Sequence, residues 1–170
     1  MMLPKRREFE MVSSEEIQKT KELESCSFYQ KRFREAFKLR FQPRRATKNS
    51  AAYDLYSPIR IVLKPGEIAK IPTGFKIKMP KNEAFFIYIR SSYGAKDIIL
   101  PAGVNIIDAD YYNNPKNEGH FFICIKNNSE EDFIIEEGDR IAQGVFQKYF
   151  TCGEIVKTER SGGFGSSGTK

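Results

Sequence analysis

Short runs of alternating apolar and polar residues dominate the chain from about residue 38 onward and constrain its fold more than any other feature. Seven runs recur: IRIVLK, EIAKIP, GFKIKM, AFFIYIR, HFFICIKN, DFIIEE and RIAQGVFQKY. A period of two is typical of strands with one buried face, and no segment of helical length separates the runs. This pattern predicts an all-β sandwich or barrel and argues against a doubly wound nucleotide-binding fold. Lys64-Pro65-Gly66-Glu67 further predicts a hairpin turn.

The first 37 residues have a different, charged composition and predict a partly helical extension. In residues 13–37, Ser13 and Glu16 have the spacing of a helix capping box. The preceding REFEMV alternates and predicts a strand. Loosely helical apolar positions follow the cap: Ile17, Leu23, Phe28, Phe33 and Phe37. Residues 1–45 hold 12 basic and 7 acidic residues, so most of the chain's net charge of +6 lies there. A protein or nucleic-acid partner is therefore expected to bind through this quarter of the chain.

Composition excludes several kinds of site. His120 is the only histidine, which excludes His-rich zinc sites. Cys26, Cys124 and Cys152 are far apart and form no C-x-x-C motif, so they predict reduced, structural thiols. The chain has no apolar run of membrane-spanning length, and its start lacks the apolar region of a signal peptide. We therefore expect no membrane partner and a cytoplasmic location, or the host cytoplasm or nucleus if the chain is viral.

Two local motifs approach known ligand sites but differ from them in detail. Gly163 to Lys170 is close to the phosphate-binding G-x-x-x-x-G-K-[ST], but its last pair is reversed and no helix follows it. Asp108 and Asp110 face the same side if the chain there is extended, although the residues that follow lack the glycine and glutamate of an EF-hand loop. Alone, these stretches also fit an inert tail and a polar turn. Phe164, however, is better explained by a flat partner such as a nucleobase.

Five segments in a fixed order are far more specific than any one of them: SAAYDLYS (50–57), RSSYGAK (90–96), GVNIIDADY (103–111), GDRIAQGVF (138–146) and RSGGFGSSG (160–168). Together they resemble the motifs of the homotrimeric deoxyuridine triphosphatases (dUTPases) over roughly residues 43–168. The resemblance implies a jelly-roll β-barrel at 38–158, preceded by the extension at 1–37 and followed by a flexible arm at 159–170. It also implies a homotrimer with shared active sites that hydrolyses dUTP to dUMP and pyrophosphate with Mg²⁺. Such an activity limits uracil incorporation into DNA and supplies dUMP for thymidylate synthesis.

The resemblance also implies a role for individual residues. Asp108 is similar to the general base that activates water at the α-phosphorus, and Asp54 to the aspartate that holds Mg²⁺ through water. Tyr111 is similar to the residue that packs against the deoxyribose and excludes a 2′-hydroxyl. The remaining substrate contacts are Arg90, Ser91, Ser92 and Gln143 for phosphates, a β-hairpin with Asn105 and Ile107 and, across its turn, Phe122 for uracil, and the arm residues Arg160, Phe164, Gly165, Ser166 and Ser167. Phe164 stacks on uracil in this scheme, and its neighbours clamp the terminal phosphates.

The chain departs from the family pattern at several places. Ala52, Ala102 and Asn105 replace residues that are usual in the first and third motifs, and Arg160 lies closer to GGFG than is usual. An insertion turns the usual DYRGE into DYYNNPKNEGH.

Two other functions remain open. A deaminase of the related dCTP deaminase branch shares RSS and the fold, although the GGFGSSG arm argues against it, and ammonia release from dCTP would support it. A binding or regulatory protein on the same scaffold would use residues 1–45 or the insertion at 112–118 as its interaction surface, and its partner or DNA binding would depend on the N-terminal segment.

Overall fold

The computed structural model of the chain describes residues 6–20 and 34–153, which form short strands, three helices and a 3₁₀ turn. The strands are β1 (Glu8–Met11), β2 (Tyr53–Tyr56), β3 (Ile61–Leu63), β4 (Ile68–Pro72), β5 (Phe75–Lys78), β6 (Glu83–Ile89), β7 (Ile98–Ile99), β8 (Asn105–Asp108), β9 (Phe122–Asn127), β10 (Phe133–Ile135) and β11 (Arg140–Lys148). The helices are α1 (Ser14–Gln18), α2 (Arg34–Phe41) and α3 (Ser91–Gly94), and the 3₁₀ turn at Ala109–Tyr111 follows β8.

Every strand pair within the described residues is antiparallel. The largest sheet has the order β2-β11-β6-β8, and a second sheet has the order β4-β9-β7. Two further pairs, β1-β5 and β10-β3, complete the set. The alternating runs thus form strands, and the all-β prediction is confirmed.

The centre of the largest sheet packs around an aromatic ring. Phe85 and Ile87 in β6 are fully buried. On the neighbouring strand, a Cβ atom at Gly144 would lie 2.0 Å from the Phe85 ring. Only a residue without a side chain therefore lets β11 pair with β6 over this ring. The close packing fixes Gln143, the residue before Gly144, against both neighbouring strands.

The N-terminal segment belongs to the same hydrophobic core. The predicted strand REFEMV is confirmed as β1, which pairs with β5 from Glu8↔Lys78 to Met11↔Phe75. Val12, Ile17 and Phe37 have no exposed surface and belong to the core cluster. Burying such side chains contributes about 1.5–3 kcal/mol each. Residues 6–20 are therefore part of the folded unit that carries the barrel strands.

The helix predicted over 13–37 differs from the observed one. Ser13 caps α1 as predicted, and its hydroxyl accepts a hydrogen bond from the Glu16 N–H at 3.0 Å. The carboxylate that accepts from the Ser13 N–H belongs to Glu118, at 3.1 Å, instead of Glu16 as in a capping box. A second helix, α2, runs through the predicted boundary at residue 37 to Phe41. Residues 21–33, with Leu23, Phe28 and Phe33, lie outside the described residues, and the division into domains stays a prediction.

The turn at Lys64–Glu67 is present, but the predicted hairpin is wrong. The Glu67 N–H donates to the Lys64 carbonyl at 3.0 Å, and Gly66 takes the positive φ of 78° that the third position of a type II turn requires. The flanking strands β3 and β4 pair with β10 and β9, in different sheets. Within the described ranges, no helix has the length and apolar character needed to cross a membrane.

Candidate active site

An arginine cluster (Asp54, Arg90 and Arg140) lies where three strands of the largest sheet meet. Asp54 is 8% exposed, and its carboxylate oxygens lie 3.3 Å from the Arg90 Nε and 3.2 Å from the Arg140 Nη1. Arg90 also donates to the Arg140 carbonyl at 3.3 Å. Gln143 lies opposite Asp54 in the strand register, because β11 pairs with β2. The structure thus brings three of the predicted phosphate and metal residues together, with one carboxylate between two guanidinium groups.

The remaining predicted phosphate residues follow directly along the chain. Arg90 precedes α3, and Ser91 and Ser92 are exposed in the first turn of that helix. A cavity of about 550 Å³ beside the arginine cluster is also lined by Arg44 and Lys96. Four cationic side chains and one carboxylate, that of Asp139, therefore line one opening. The excess of positive charge suits a polyanionic ligand.

Sequence reasoning missed three of these cations. Arg140 stands inside the quoted motif GDRIAQGVF, where it was the one cation and a readable signal. Lys96 ends the quoted motif RSSYGAK and was an equally readable signal, whereas Arg44 had none. Arg44 reaches the cavity because its guanidinium lies 4.7 Å over the Tyr56 ring, and it donates to the Leu39 carbonyl at the end of α2.

Asp108, the predicted general base, ends strand β8 at the far edge of the same sheet. It lies opposite Ala84, the second residue of β6. By strand alternation it shares a face with Ile106, which is 55% exposed. Asp110 does not continue this face, because the chain leaves the extended conformation after Asp108 and Asp110 lies in the 3₁₀ turn.

An aromatic corner (Tyr111, His120 and Phe122) adjoins the 3₁₀ turn. The Tyr111 hydroxyl donates to the His120 carbonyl at 3.1 Å and accepts from the Asn117 side-chain amide at 2.9 Å. Tyr111 is only 5% exposed. This network holds the ring firmly, and a sugar would meet the small part of it that reaches the surface.

His120 and Phe122 are stacked in this corner. Their ring centroids lie 4.3 Å apart, and the Lys70 ammonium lies 4.3 Å from the Phe122 centroid. The Gly74 N–H donates to the His120 Nε2 at 2.9 Å, which leaves the ring proton on Nδ1. Complete burial, reinforced by the Lys70 charge, lowers the pKa of His120 to about 3. The Glu16 carboxylate lies 3.5 Å from Nδ1, and burial raises the pKa of Glu16 as well. With its pKa lowered, His120 is a neutral, buried side chain at neutral pH.

The predicted uracil contacts are divided between two sheets. Asn105 and Ile107 lie in β8, which pairs with β6, whereas Phe122 begins β9, which pairs with β4 and β7. Residues 100–104 therefore connect two sheets, since β7 and β8 pair with different neighbours. Gly103 makes this connection possible with a φ of 73°.

Comparisons with known proteins identify the family of the chain. A family model described as dUTPase matches residues 41–168. The chain belongs to the dUTPase family. A deoxyuridine 5′-triphosphate nucleotidohydrolase of Lactococcus lactis is 44% identical over 130 residues, which cover 74% of this chain and 87% of that protein. One from Desulfitobacterium hafniense is 35% identical over 136 residues, covering 74% of this chain and 86% of that protein.

Solved dUTPase structures confirm the predicted fold class. The dUTPase of Streptococcus mutans is 39% identical and superposes with a TM-score of 0.62, covering 66% of this chain and 88% of that chain. The dUTPase of phage phi11 of S. aureus, described with a species-specific insert, covers 91% of this chain and 97% of that one at a TM-score of 0.63. Since that phage protein is 21% identical, it shows the fold alone.

The described residues do not offer the dUTPase family's metal a ready cage. No group of three or more His, Cys, Asp or Glu side chains with metal-binding geometry occurs in the part of the chain that the structure covers. Asp54 directs both carboxylate oxygens at arginines. These contacts orient the two guanidinium groups, and the metal role of Asp54 through water stays a prediction.

The predicted arm contacts cannot be compared with the structure. Arg160, Phe164, Gly165, Ser166 and Ser167 all lie outside the described residues, which end at residue 153. Their roles in this dUTPase stay predictions.

Proposed function

We propose that the chain hydrolyses dUTP to dUMP and pyrophosphate, in keeping with the relatives named deoxyuridine 5′-triphosphate nucleotidohydrolase. The observation that carries the proposal is that Arg90, Ser91, Ser92 and Gln143, which the family resemblance assigns to phosphate contacts, lie around the arginine cluster. The activity would limit uracil incorporation into DNA and supply dUMP for thymidylate synthesis. A cytoplasmic location stays a prediction.

The two halves of the candidate site lie at opposite ends of one strand, which supports a shared site. Asp108 lies opposite Ala84, and Arg90 directly follows the end of β6 at Ile89. At about 3.3 Å per residue, the stretch from Ala84 to Arg90 spans about 20 Å. The α-phosphorus and the terminal phosphates of one nucleotide lie much closer together than this. Asp108 of one chain and Arg90 of another would therefore meet in a homotrimer, whose active sites form between subunits.

In such a shared site, one half activates water and the other half binds the phosphates. Asp108 accepts a proton from a water molecule while the water oxygen bonds to the α-phosphorus. The bond from that phosphorus to the oxygen bridging to the β-phosphate breaks, and its electron pair leaves with pyrophosphate. A positioned general base contributes about 10²–10⁴-fold to such a rate. Arg90, Ser91, Ser92 and Gln143 hold the triphosphate in line and neutralise the charge that develops on the leaving group.

The nucleoside half would select the base and the sugar. Tyr111 would pack against the deoxyribose, and main-chain groups near Asn105, Ile107 and Phe122 would read uracil. The arm would then close over the nucleotide: Phe164 would stack on uracil, and Arg160, Gly165, Ser166 and Ser167 would contact the terminal phosphates. Closure of this kind excludes water from competing positions.

Magnesium would arrive as part of the substrate, bound to the triphosphate oxygens. This ion keeps most of its water and prefers phosphate and carboxylate oxygens, so it needs few protein ligands. A mutant of the phage phi11 dUTPase, 21% identical to this chain, is described with a structural Mg(II) ion. When bound, the metal would supply further charge neutralisation.

A nucleotide panel with pyrophosphate detection tests the activity. We expect release from dUTP with strong preference over dTTP, dCTP and UTP, and a loss of turnover when the chain is truncated before Arg160. Asp108→Asn should lower kcat about 10²–10⁴-fold, whereas the matched control Asp110→Asn, at an exposed residue of the 3₁₀ turn, should change it far less. Full turnover in Asp108→Asn would show that the assigned base is wrong. Ammonia release from dCTP would instead support the deaminase.

An additional protein or nucleic-acid partner through residues 1–45 is proposed on charge. Arg6, Arg7, Arg34 and Lys38 line a groove of about 650 Å³, and the acidic residues beside them there are Glu8, Glu10 and Glu35. Deleting the segment is a poor test, because it would also remove the buried Val12 and Ile17. Arg6→Glu combined with Lys38→Glu should keep dUTP turnover and lose retention on single-stranded DNA. Retention equal to that of the unmodified chain would count against a nucleic-acid partner.

A further inference from the structure

The two segments that lie outside the family pattern contact each other. The Glu118 carboxylate, in the insertion, accepts hydrogen bonds from both the hydroxyl and the N–H of Ser13, in the N-terminal segment, the latter at 3.1 Å. Lys76 joins the pair, with its Nζ 3.4 Å from Glu118 and 2.7 Å from the Asn113 side-chain oxygen. Burial raises the pKa of Glu118, but the hydrogen bonds from Ser13 and the Lys76 charge outweigh it and leave the pKa below its ordinary value. Glu118 is thus a charged anchor between strand β5 and the start of α1.

The anchored loop is tightly bent. Asn113 and Glu118 both have a φ of 57°, a conformation that non-glycine residues rarely adopt. The Asn113 N–H donates to the Glu118 carbonyl at 2.9 Å, which closes the loop on itself. Residues held in such a conformation need support from their surroundings. The contacts from Ser13 and Lys76 supply that support.

The same loop encloses Tyr111. The Asn114 side-chain amide donates to the Tyr111 carbonyl at 3.0 Å, and the Asn117 amide donates to the Tyr111 hydroxyl at 2.9 Å. At Gly119, a Cβ atom would lie 2.5 Å from the Tyr111 carbonyl oxygen. Both ends of the tyrosine are therefore bound by the loop that Glu118 anchors. A shift of the loop would move the ring.

We propose that Ser13 and Glu118 are positioning residues that fix Tyr111 through the insertion loop and thereby set the discrimination between deoxyribose and ribose nucleotides. The inference rests on the proposed function, since it is the dUTP site that Tyr111 would serve. It gives the N-terminal segment a role within the enzyme: residue 13 reaches the active site through a contact with residue 118. Ser13 and Glu118 touch no substrate, and they act through Tyr111.

The test measures kcat/KM for dUTP and for UTP in Glu118→Ala, Ser13→Ala and the double variant, well below their unfolding temperatures. We expect the dUTP-to-UTP ratio to fall about tenfold in Glu118→Ala, with a raised KM for dUTP and little change in kcat. Ser13→Ala should lower the ratio less, because the Ser13 N–H still donates to Glu118. The double variant should fall no further than Glu118→Ala, which already removes both hydrogen bonds from Ser13. Ser13→Thr keeps the hydroxyl and should keep the ratio.

Glu136→Ala is the control, because Glu136 is an exposed glutamate paired with Arg60 at 3.2 Å, and the sequence pattern assigns it no role in the site. It should leave the ratio unchanged. A ratio in Glu118→Ala within twofold of the parent's would overturn the proposal. Glu118→Gln provides a milder second variant if Glu118→Ala does not fold, and it should lower the ratio in the same direction; an unchanged ratio there would also overturn the proposal.

Hydrogen exchange separates this inference from the proposed function. If the unmodified chain does not hydrolyse dUTP, the proposed function fails. Amide exchange still reports whether Glu118 holds the loop. Amide exchange over residues 111–121 should accelerate in Glu118→Ala and stay unchanged in Glu136→Ala. Equal exchange in the two variants would show that Glu118 does not hold the loop.

Discussion

Replacing Asp54 with asparagine separates two roles for this residue. The sequence pattern predicts that Asp54 holds Mg²⁺ through water, whereas its carboxylate lies 3.3 Å from Arg90 and 3.2 Å from Arg140. Asp54→Asn keeps the size of the side chain and removes the charge that both guanidinium groups face. We expect both arginines to lose their fixed orientation toward the phosphates.

The magnitude follows from the exposure of each partner. The Asp54 and Arg90 side chains are 11% and 25% exposed, so this pair is a partly buried, charge-assisted contact worth about 1.5–3 kcal/mol. Arg140 is 46% exposed, and solvent screening leaves its pair at about 0–1 kcal/mol. If the transition state loses about 1.4–2.8 kcal/mol of stabilisation because the arginines are no longer held in place, kcat/KM for dUTP falls about 10- to 100-fold.

The assay is steady-state pyrophosphate release at a series of Mg²⁺ and dUTP concentrations. For an arginine-orienting Asp54, the half-saturating Mg²⁺ concentration of Asp54→Asn should stay within about twofold of the parent's, while kcat/KM falls. The exposed Glu130→Gln is the control for loss of a surface charge. A large rise in the Mg²⁺ requirement with an unchanged KM for the magnesium-bound nucleotide would refute this reasoning and restore the metal role.

Two further perturbations test the packing and the electrostatics. Gly144→Ala places a Cβ atom 2.0 Å from the Phe85 ring, so we expect a loss of about 3 kcal/mol and about 6–12 °C in Tm; adding Phe85→Leu should restore part of it, and an unchanged Tm in the single variant would contradict the packing. The pKa of His120 is lowered by burial from 6.5 to about 3, so the unfolded chain binds this proton more readily than the folded one. Above about pH 6.5 His120 does not lower the free energy of unfolding. As the pH drops from there toward 3, this free energy falls by up to about 1.4 kcal/mol per pH unit. His120→Gln keeps an acceptor for the Gly74 N–H and should show a shallower fall in chemical-denaturation midpoints between pH 6.5 and 4; identical slopes would show that His120 is not the titrating group.

Local patterns in the sequence predicted the strands well, because alternation reports which face of a strand is buried. AFFIYIR became β6, with Phe85 and Ile87 fully buried, and REFEMV became β1. The Ser13 cap was predictable because it is a local contact: the Glu16 N–H that donates to the Ser13 hydroxyl lies within one helical turn.

Strand pairings and contacts between residues far apart in the sequence were not predictable in this way. The strands beside Lys64–Glu67 join different sheets because pairing is decided by packing across the whole barrel, and the turn alone does not fix it. The Ser13 N–H donates to the carboxylate of Glu118, a residue 105 positions away in the sequence. In the candidate site, motif order pointed to Asp54, Arg90 and Gln143, and the motifs also contain Arg140 and Lys96. Arg44 lies outside every motif, and only the folded chain places it beside the cavity.

The central claim is that Asp108 and Arg90 act together although one strand holds them about 20 Å apart in a single chain. Mixing tests it most directly: Asp108→Asn and Arg90→Ala, each purified and inactive alone, are unfolded together, refolded in equal amounts and assayed on dUTP. If each site takes Asp108 from one subunit and Arg90 from another, random assembly leaves about a quarter of the sites intact, and activity should return to about that fraction of the parent's. A refolded mixture that stays as inactive as its components, while the parent chain refolds to full activity, would contradict the account.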